Sequence, residues 1–137
     1  MLPSHAPSGP ILVVEDDPDV RDAMTAILES EGYEVVGAAE GHEALDRLRG
    51  HLEGPARPRV ILLDLMMPVM DGFEFRVQQL QDPELADIPV IVFSSGGDLH
   101  RKVSPLAADG WLAKPIDIPK LLELVRSRCG RESSRLH

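Results

Sequence analysis

Val60-Ile61-Leu62-Leu63-Asp64 runs directly into Leu65-Met66-Met67-Pro68 and then Asp71-Gly72. Four consecutive apolar residues describe a strand buried on both faces, and the turn residues beyond them end it with a carboxylate at its tip. A charge at the end of a buried strand is costly unless other groups compensate it. The partners of Asp64 must then come from elsewhere in the chain.

The same pattern recurs on both sides of that stretch. Ile11-Leu12-Val13-Val14 ends in Glu15-Asp16-Asp17-Pro18, and Tyr33 to Ala39 reads as a strand between Gly32 and Gly41. Pro89-Val90-Ile91-Val92-Phe93 ends in Ser94-Ser95-Gly96-Gly97, and the short Trp111-Leu112-Ala113 is closed by Lys114-Pro115. Between these runs the apolar spacing becomes helical. Val20, Met24, Ile27 and Leu28 form one stripe, with Asp17 as N-cap and Pro18 at the first helical position. Ala44, Leu45, Leu48 and Leu52 form a second, leading through the loop Gly54 to Pro58. Phe73, Val77 and Leu80 form a third, closed by Asp82-Pro83. Leu99, Val103 and Leu106 suggest a fourth, which Pro105 shortens or distorts by removing a backbone hydrogen bond. Ile118, Leu121, Leu122 and Val125 form the last, started by Pro119 and stopped by Gly130.

Strand and helix alternate five times. Continuously apolar strands are those covered on both faces, and their alternation with helices implies right-handed crossovers and parallel pairing. The predicted fold is α/β, a doubly wound five-stranded parallel sheet with helices on both faces. Ligands of such sheets bind outside the C-terminal strand ends. That rim gathers Glu15, Asp16 and Asp17, Asp64, Ser94 and Ser95, and Lys114. The cap role accounts for Asp17, which leaves it out of the candidate site.

Composition narrows the function. The chain has 137 residues, 43% of them hydrophobic, which suits one domain with a substantial core. Its expected span is 10–130, between a short N-terminal tail, 1–9, and a polar C-terminal tail, 131–137. A net charge of -9 speaks against direct nucleic-acid binding. The acid is concentrated before residue 98, whereas residues 98–137 carry eight Lys/Arg against five Asp/Glu, which fits a cation site in the first part and a partner surface in the second. A single cysteine, Cys129, excludes an internal disulfide framework and suits a reducing, cytoplasmic setting as a buried small hydrophobe. No apolar run approaches the roughly 20 residues of a membrane-inserted helix. Residues 1–9 lack the basic start and apolar core of a secretory signal.

The rim has a chemistry of its own. Three clustered carboxylates repel one another, and a hard divalent cation such as Mg²⁺ relieves this with oxygen ligands while keeping waters that a phosphate can replace. With the cation and Lys114 offsetting the charge, Asp64 can act as a nucleophile toward phosphorus and Ser94 can donate a hydrogen bond to a phosphoryl oxygen. The product would be an aspartyl phosphate.

These residues resemble the receiver domain of bacterial two-component response regulators. The acidic pair Glu15-Asp16, the segment Asp64-Leu-Met-Met-Pro-Val-Met-Asp-Gly, Ser94 and Lys114-Pro115 are similar to four separate motifs of that family, in the same order, within a match running from about Ile11 to Cys129. The resemblance implies a flavodoxin-like fold with Asp64 as phosphoacceptor. It implies that Asp16 binds Mg²⁺ (or Mn²⁺) directly, Glu15 through water, and that the Met66 backbone carbonyl completes the protein ligands. Ser94 and Lys114 would hold the phosphoryl group, the bond before Pro115 would be cis, and Ser94 with Trp111 would form a conformational switch. The implied partners are a sensor histidine kinase or histidine phosphotransfer protein and an unidentified output protein, with a phosphorylation-dependent dimer as a further possibility.

Taken singly, Asp16 reads equally as a turn residue, Ser94 as a strand-end cap and Lys114 as a surface charge; their convergence on one rim favours the shared site. The sequence departs from the family pattern at Ser95, Gly96-Gly97 and Pro105, and at Trp111, where Tyr or Phe is usual and the larger indole is equally suited to a packed or partner-facing position. Two other classes compete. An aspartate-nucleophile phosphatase of the haloacid dehalogenase type would want an acid two residues after Asp64, where Met66 stands. A pseudo-receiver that is never phosphorylated would be expected to lack part of the acid, Ser and Lys set. The expectation is a stand-alone receiver rather than an enzyme.

Overall fold

The computed structural model describes residues 9–50, 57–67, 70–94 and 107–129. Its elements in chain order are β1 (Ile11–Val14), α1 (Pro18–Ser30), β2 (Val35–Ala38), α2 (Gly41–Gly50), β3 (Val60–Asp64), α3 (Gly72–Gln81), β4 (Val90–Ser94), β5 (Gly110–Ala113) and α4 (Ile118–Cys129). The helix expected at Leu99, Val103 and Leu106 lies outside the described residues, as do Leu52, Ser95, Gly96, Gly97, Pro105, Gly130 and the polar C-terminal tail.

All four strand pairs are parallel, in the order β2-β1-β3-β4-β5. The α/β doubly wound architecture is therefore as expected. The two centres of apolar packing follow the alternation of side chains along each strand. Ile11, Val13, Leu62, Ile91, Phe93 and Leu112 pack with Met24 and Leu28 of α1 and with Leu121 and Val125 of α4. Leu12, Val14, Ile61, Leu63, Val90 and Val92 face the other way, onto Ala44, Leu45 and Leu48 of α2 and Phe75 of α3. Both faces of the central strands are covered, which is why their sequences are unbroken apolar runs.

Register brings the polar strand ends level. Val14 pairs with Leu63, so Glu15 lies beside Asp64; Asp64 pairs with Phe93 and Ser94 with Ala113, so Ser94 and Lys114 each follow one step beyond. The strand order reverses direction between β1 and β3, and the rim at this crevice is where the acids meet.

Two details differ from the sequence expectation. β2 begins at Val35 rather than Tyr33, because the exit from α1 uses the preceding residues: Gly32 takes φ 94°, and the Tyr33 amide returns to the Leu28 carbonyl at 3.2 Å. Tyr33 lies instead under the Arg59 guanidinium, 5.3 Å from the ring centroid.

The larger correction is in α3, whose Phe73, Val77 and Leu80 were expected to form the inward stripe. Phe73 is only partly buried, and Val77 and Leu80 are 52% and 45% exposed; the inward face is Gly72, Phe75, Arg76 and Gln79. Gly72 fixes this rotation, since a Cβ there would stand 2.7 Å from the Asp64 carbonyl oxygen and from the Leu65 Cα. With Gly72 forced inward, the positions three, four and seven residues on follow it. Gln79 is accommodated by donating to the carbonyls of Leu85 and Ile88 at 2.8 and 3.1 Å, and Arg76 by donating to Gln79 Oε1 at 2.6 Å and the Ala107 carbonyl at 2.9 Å.

Candidate functional site

Each site residue sits at or just beyond a strand end, where the sheet holds the backbone and the side chain reaches the rim. Asp64 and Glu15 are each 1% exposed, and Ser94 is fully buried. The Lys114 ammonium reaches between the two acids, 3.1 Å from Glu15 Oε1 and 3.3 Å from Asp64 Oδ2. It also lies 5.5 Å from the centroid of the Phe93 ring. Neighbouring amides take the remaining carboxylate oxygens. Met66 donates to Asp64 Oδ1 and Asp17 donates to Glu15 Oε2, both at 3.0 Å.

The Lys114 backbone amide donates to the Ser94 carbonyl at 2.9 Å, tying the last two site strands together, and the Lys114–Pro115 peptide bond is cis. The Asp17 side chain caps α1 by accepting from the Asp19 and Val20 amides at 2.9 and 3.4 Å. Its carboxylate serves the helix, while its backbone serves Glu15.

The electrostatics are those of one cation among too many anions. Burial by itself would lower the Lys114 pKa, but the hydrogen bond to Glu15 and the charges of Asp64 and Glu15 outweigh it and hold the ammonium above its ordinary value. Asp16 is pushed up, by burial first and then by its hydrogen bond to Glu15 and the charge of Glu15, with a backbone hydrogen bond and then Lys114 offsetting only part. One lysine does not neutralise three acids. Glu15, Asp16 and Asp64 each offer a carboxylate oxygen, all within 4.8 Å of one another. Such a grouping of hard oxygen donors fits a divalent cation of the Mg²⁺ type.

The structure brings Glu15, Asp16, Asp64, Ser94 and Lys114 to one rim. Met66 flanks it and is 56% exposed. Trp111 does not belong to this cluster. It lies on β5 beside Val92 and is 41% exposed, whereas its neighbour Leu112 points into the opposite core.

Sequence reading missed the supporting groups, chiefly the Met66 amide and Arg21, whose Nη1 donates to the Glu15 carbonyl at 2.7 Å. A glycine at position 37, inside an otherwise apolar strand, was the available signal for Arg21.

The fold and this rim together define an α/β domain with an acidic pocket answered by a single lysine. The response regulator receiver domain model matches residues 11–126, and the chain belongs to that family. It is similar to the polar-differentiation response regulator DivK of Brucella anthropi, 32% identical over 123 residues, covering 88% of this chain and 95% of that protein. It is also similar to the DNA-binding dual master transcriptional regulator RpaA of Synechocystis, 35% identical over 120 residues, covering 85% of this chain but 47% of RpaA. The chain thus spans about half the length of RpaA and of the Synechocystis response regulator Rre1, of which it covers 53%. Among solved structures, the Vibrio cholerae chemotaxis protein CheY4 aligns with a TM-score of 0.77 at 31% identity, covering 88% of this chain and 98% of that one.

Receiver domains are the signalling modules of two-component systems and bind Mg²⁺ at an acidic pocket, and Glu15, Asp16 and Asp64 form such a pocket here. No helix among the described residues is long and apolar enough to cross a membrane.

Proposed function

We propose that Asp64 is the phosphoacceptor, taking a phosphoryl group from the phosphohistidine of a sensor histidine kinase or a histidine phosphotransfer protein in a Mg²⁺- or Mn²⁺-dependent reaction. The observation that carries this reading is the reach of Lys114 to both Glu15 and Asp64 inside a three-carboxylate cluster that it cannot neutralise alone. Glu15, Asp16 and Asp64 would hold the cation, with the Met66 backbone carbonyl as a further oxygen ligand. When bound, the cation offsets the negative charge of the carboxylates and of the arriving phosphoryl group.

A carboxylate oxygen of Asp64 attacks phosphorus, and the P–N bond to the donor imidazole breaks with its electron pair remaining on the ring nitrogen. The Met66 amide orients the nucleophile at Oδ1, and the Lys114 ammonium moves from the carboxylate to a phosphoryl oxygen. Ser94 donates its hydroxyl to a second phosphoryl oxygen. Ser94 and Trp111 then report the new state: as Ser94 closes on the phosphoryl group, the half-exposed indole turns inward, and the phosphate biases a two-state equilibrium that an output protein reads.

Donor access is supported by an apolar groove of about 340 Å³ between α1 and α4, lined by Val20, Ala23, Ile27, Ile116 and Ile118 and reaching Lys114. A helix seated there would present its histidine beside Asp64. The signal leaves through a protein partner or by relay, in the cytoplasm.

Incubation with acetyl phosphate and Mg²⁺, read by intact mass, tests the assignment. The wild-type chain should gain one phosphoryl group, and Asp64→Asn should gain none. Equal mass gain in both proteins would remove Asp64 from the role. Repeated turnover of a phosphate ester would point to a phosphatase, and an unmodified wild type to an interaction module.

A further inference from the structure

Glu15 is tethered at every polar atom of its backbone and side chain. Its amide donates to the Ala38 carbonyl at 3.0 Å, its Oε1 takes Lys114 and its Oε2 takes the Asp17 amide. The remaining tether comes from α1, where Arg21 Nη1 donates to the Glu15 carbonyl at 2.7 Å. On its way to that carbonyl the Arg21 stem lies against the face of β2 at Gly37. A Cβ on Gly37 would stand 3.2 Å from Arg21 Cδ and 3.6 Å from both Cγ and Nε. Glycine weakens a strand interior unless something must approach its backbone closely. Here the approaching group is the Arg21 stem.

We propose that Arg21 is a positioning residue for the divalent-cation site: lying in the space that Gly37 leaves on the face of β2, it holds the Glu15 carbonyl and so fixes the turn that aims the Glu15 and Asp16 carboxylates. The inference rests on the reading of the acidic rim as a cation site. Arg21 contributes in two ways. Its hydrogen bond sets the peptide between Glu15 and Asp16, from which both side chains are aimed, and it places a positive charge at the Glu15 carbonyl while Lys114 takes the Glu15 carboxylate. Groups that orient metal ligands without touching the metal typically change affinity by about ten-fold or more when removed.

The test is Mn²⁺ affinity, measured by the paramagnetic resonance signal of free Mn²⁺, alongside the Tm of the cation-free protein. Arg21→Met keeps the stem and removes the guanidinium. It should weaken Mn²⁺ binding about ten-fold, beyond what the accompanying fall in Tm from the lost carbonyl donor accounts for. Arg21→Lys should recover part of the loss. Gly37→Val should weaken binding in the same way although valine favours a strand, because it displaces the Arg21 stem. The double variant should bind no more weakly than the weaker single variant, since both changes remove one tether. Wild-type affinity in Arg21→Met, or an affinity loss that merely tracks a loss of Tm across Arg21→Met and Arg21→Lys, overturns the proposal while the cation site stands. A wild-type chain that binds no Mn²⁺ overturns the cation-site reading and this inference with it.

Discussion

Two places in this domain take charged side chains out of water, and they do it in opposite ways. Under α3, Arg76 is 4% exposed and Gln79 fully buried, and their donors are answered by Gln79 Oε1 and the carbonyls of Ala107, Leu85 and Ile88, with the charge of Asp109 acting on the Arg76 guanidinium. At the strand-end rim, three carboxylates share one ammonium. The first network is closed, and its groups have what they need from the fold itself. The second is open, because the fold supplies less positive charge than it gathers negative. A satisfied buried network rigidifies a structure, whereas an unsatisfied one marks a place where a ligand completes the accounting.

Breaking the closed network should produce the largest effect on stability. Arg76→Met keeps the stem but leaves Gln79 Oε1 and the Ala107 carbonyl without their donor, and should lower the unfolding free energy by about 2 to 3 kcal/mol. Urea unfolding measures this directly. Mn²⁺ affinity should stay at the wild-type value, because α3 is held at its start by Gly72 against Leu65 rather than by Arg76. A large affinity loss with intact stability would show that the two regions are one network and dissolve the contrast.

Asp16→Asn sharpens the other side. The cation-free variant should be slightly more stable than wild type, since one member of a mutually repelling set is gone. Saturating cation should reverse the ranking. A ligand at about 100 times its Kd stabilises the folded state by about 2.7 kcal/mol, and Asp16→Asn should forfeit most of that. Thermal unfolding with and without Mn²⁺ reads both signs in one experiment.

The contrast also separates what was legible in the sequence from what was not. The rim was legible because each of its residues follows an apolar run, and parallel register forces the ends of such runs together. That both faces of the sheet are covered followed from the same unbroken runs. The closed network was hidden because the pattern under α3 points the wrong way. Phe73, Val77 and Leu80 have the spacing of a buried stripe, and only the contact of Gly72 with the β3 exit turns Arg76 and Gln79 inward instead. That contact is tertiary, and no periodicity within the helix encodes it. The supporting donors at the rim were hidden for a related reason. Backbone amides such as those of Met66 and Asp17 carry no residue-type signal, and the path of Arg21 to Glu15 depends on a tertiary contact, the packing of its stem against Gly37 of β2.

The smallest predicted effect is the pH dependence of the open site in the cation-free protein. Burial, then the hydrogen bond and charge of Glu15, raise the Asp16 carboxyl above its ordinary 3.8. A carboxyl that holds its proton more tightly when folded costs nothing below 3.8, where both states are protonated, and lowers stability as pH rises through its folded value. Glu43 runs the other way. The Ala39 amide draws its pKa below the ordinary 4.5, with Arg47 helping against burial, so its contribution is present above 4.5 and is lost as pH falls through the depressed value. Glu43 is common to wild type and Asp16→Asn, so subtracting their urea-unfolding free energies removes it. The wild-type deficit should open as pH rises above 3.8 and then hold steady toward neutrality. A deficit that widened on acidification instead would make Asp16 a stabilising ion partner of Lys114, and the rim would then be closed in the same sense as the network under α3.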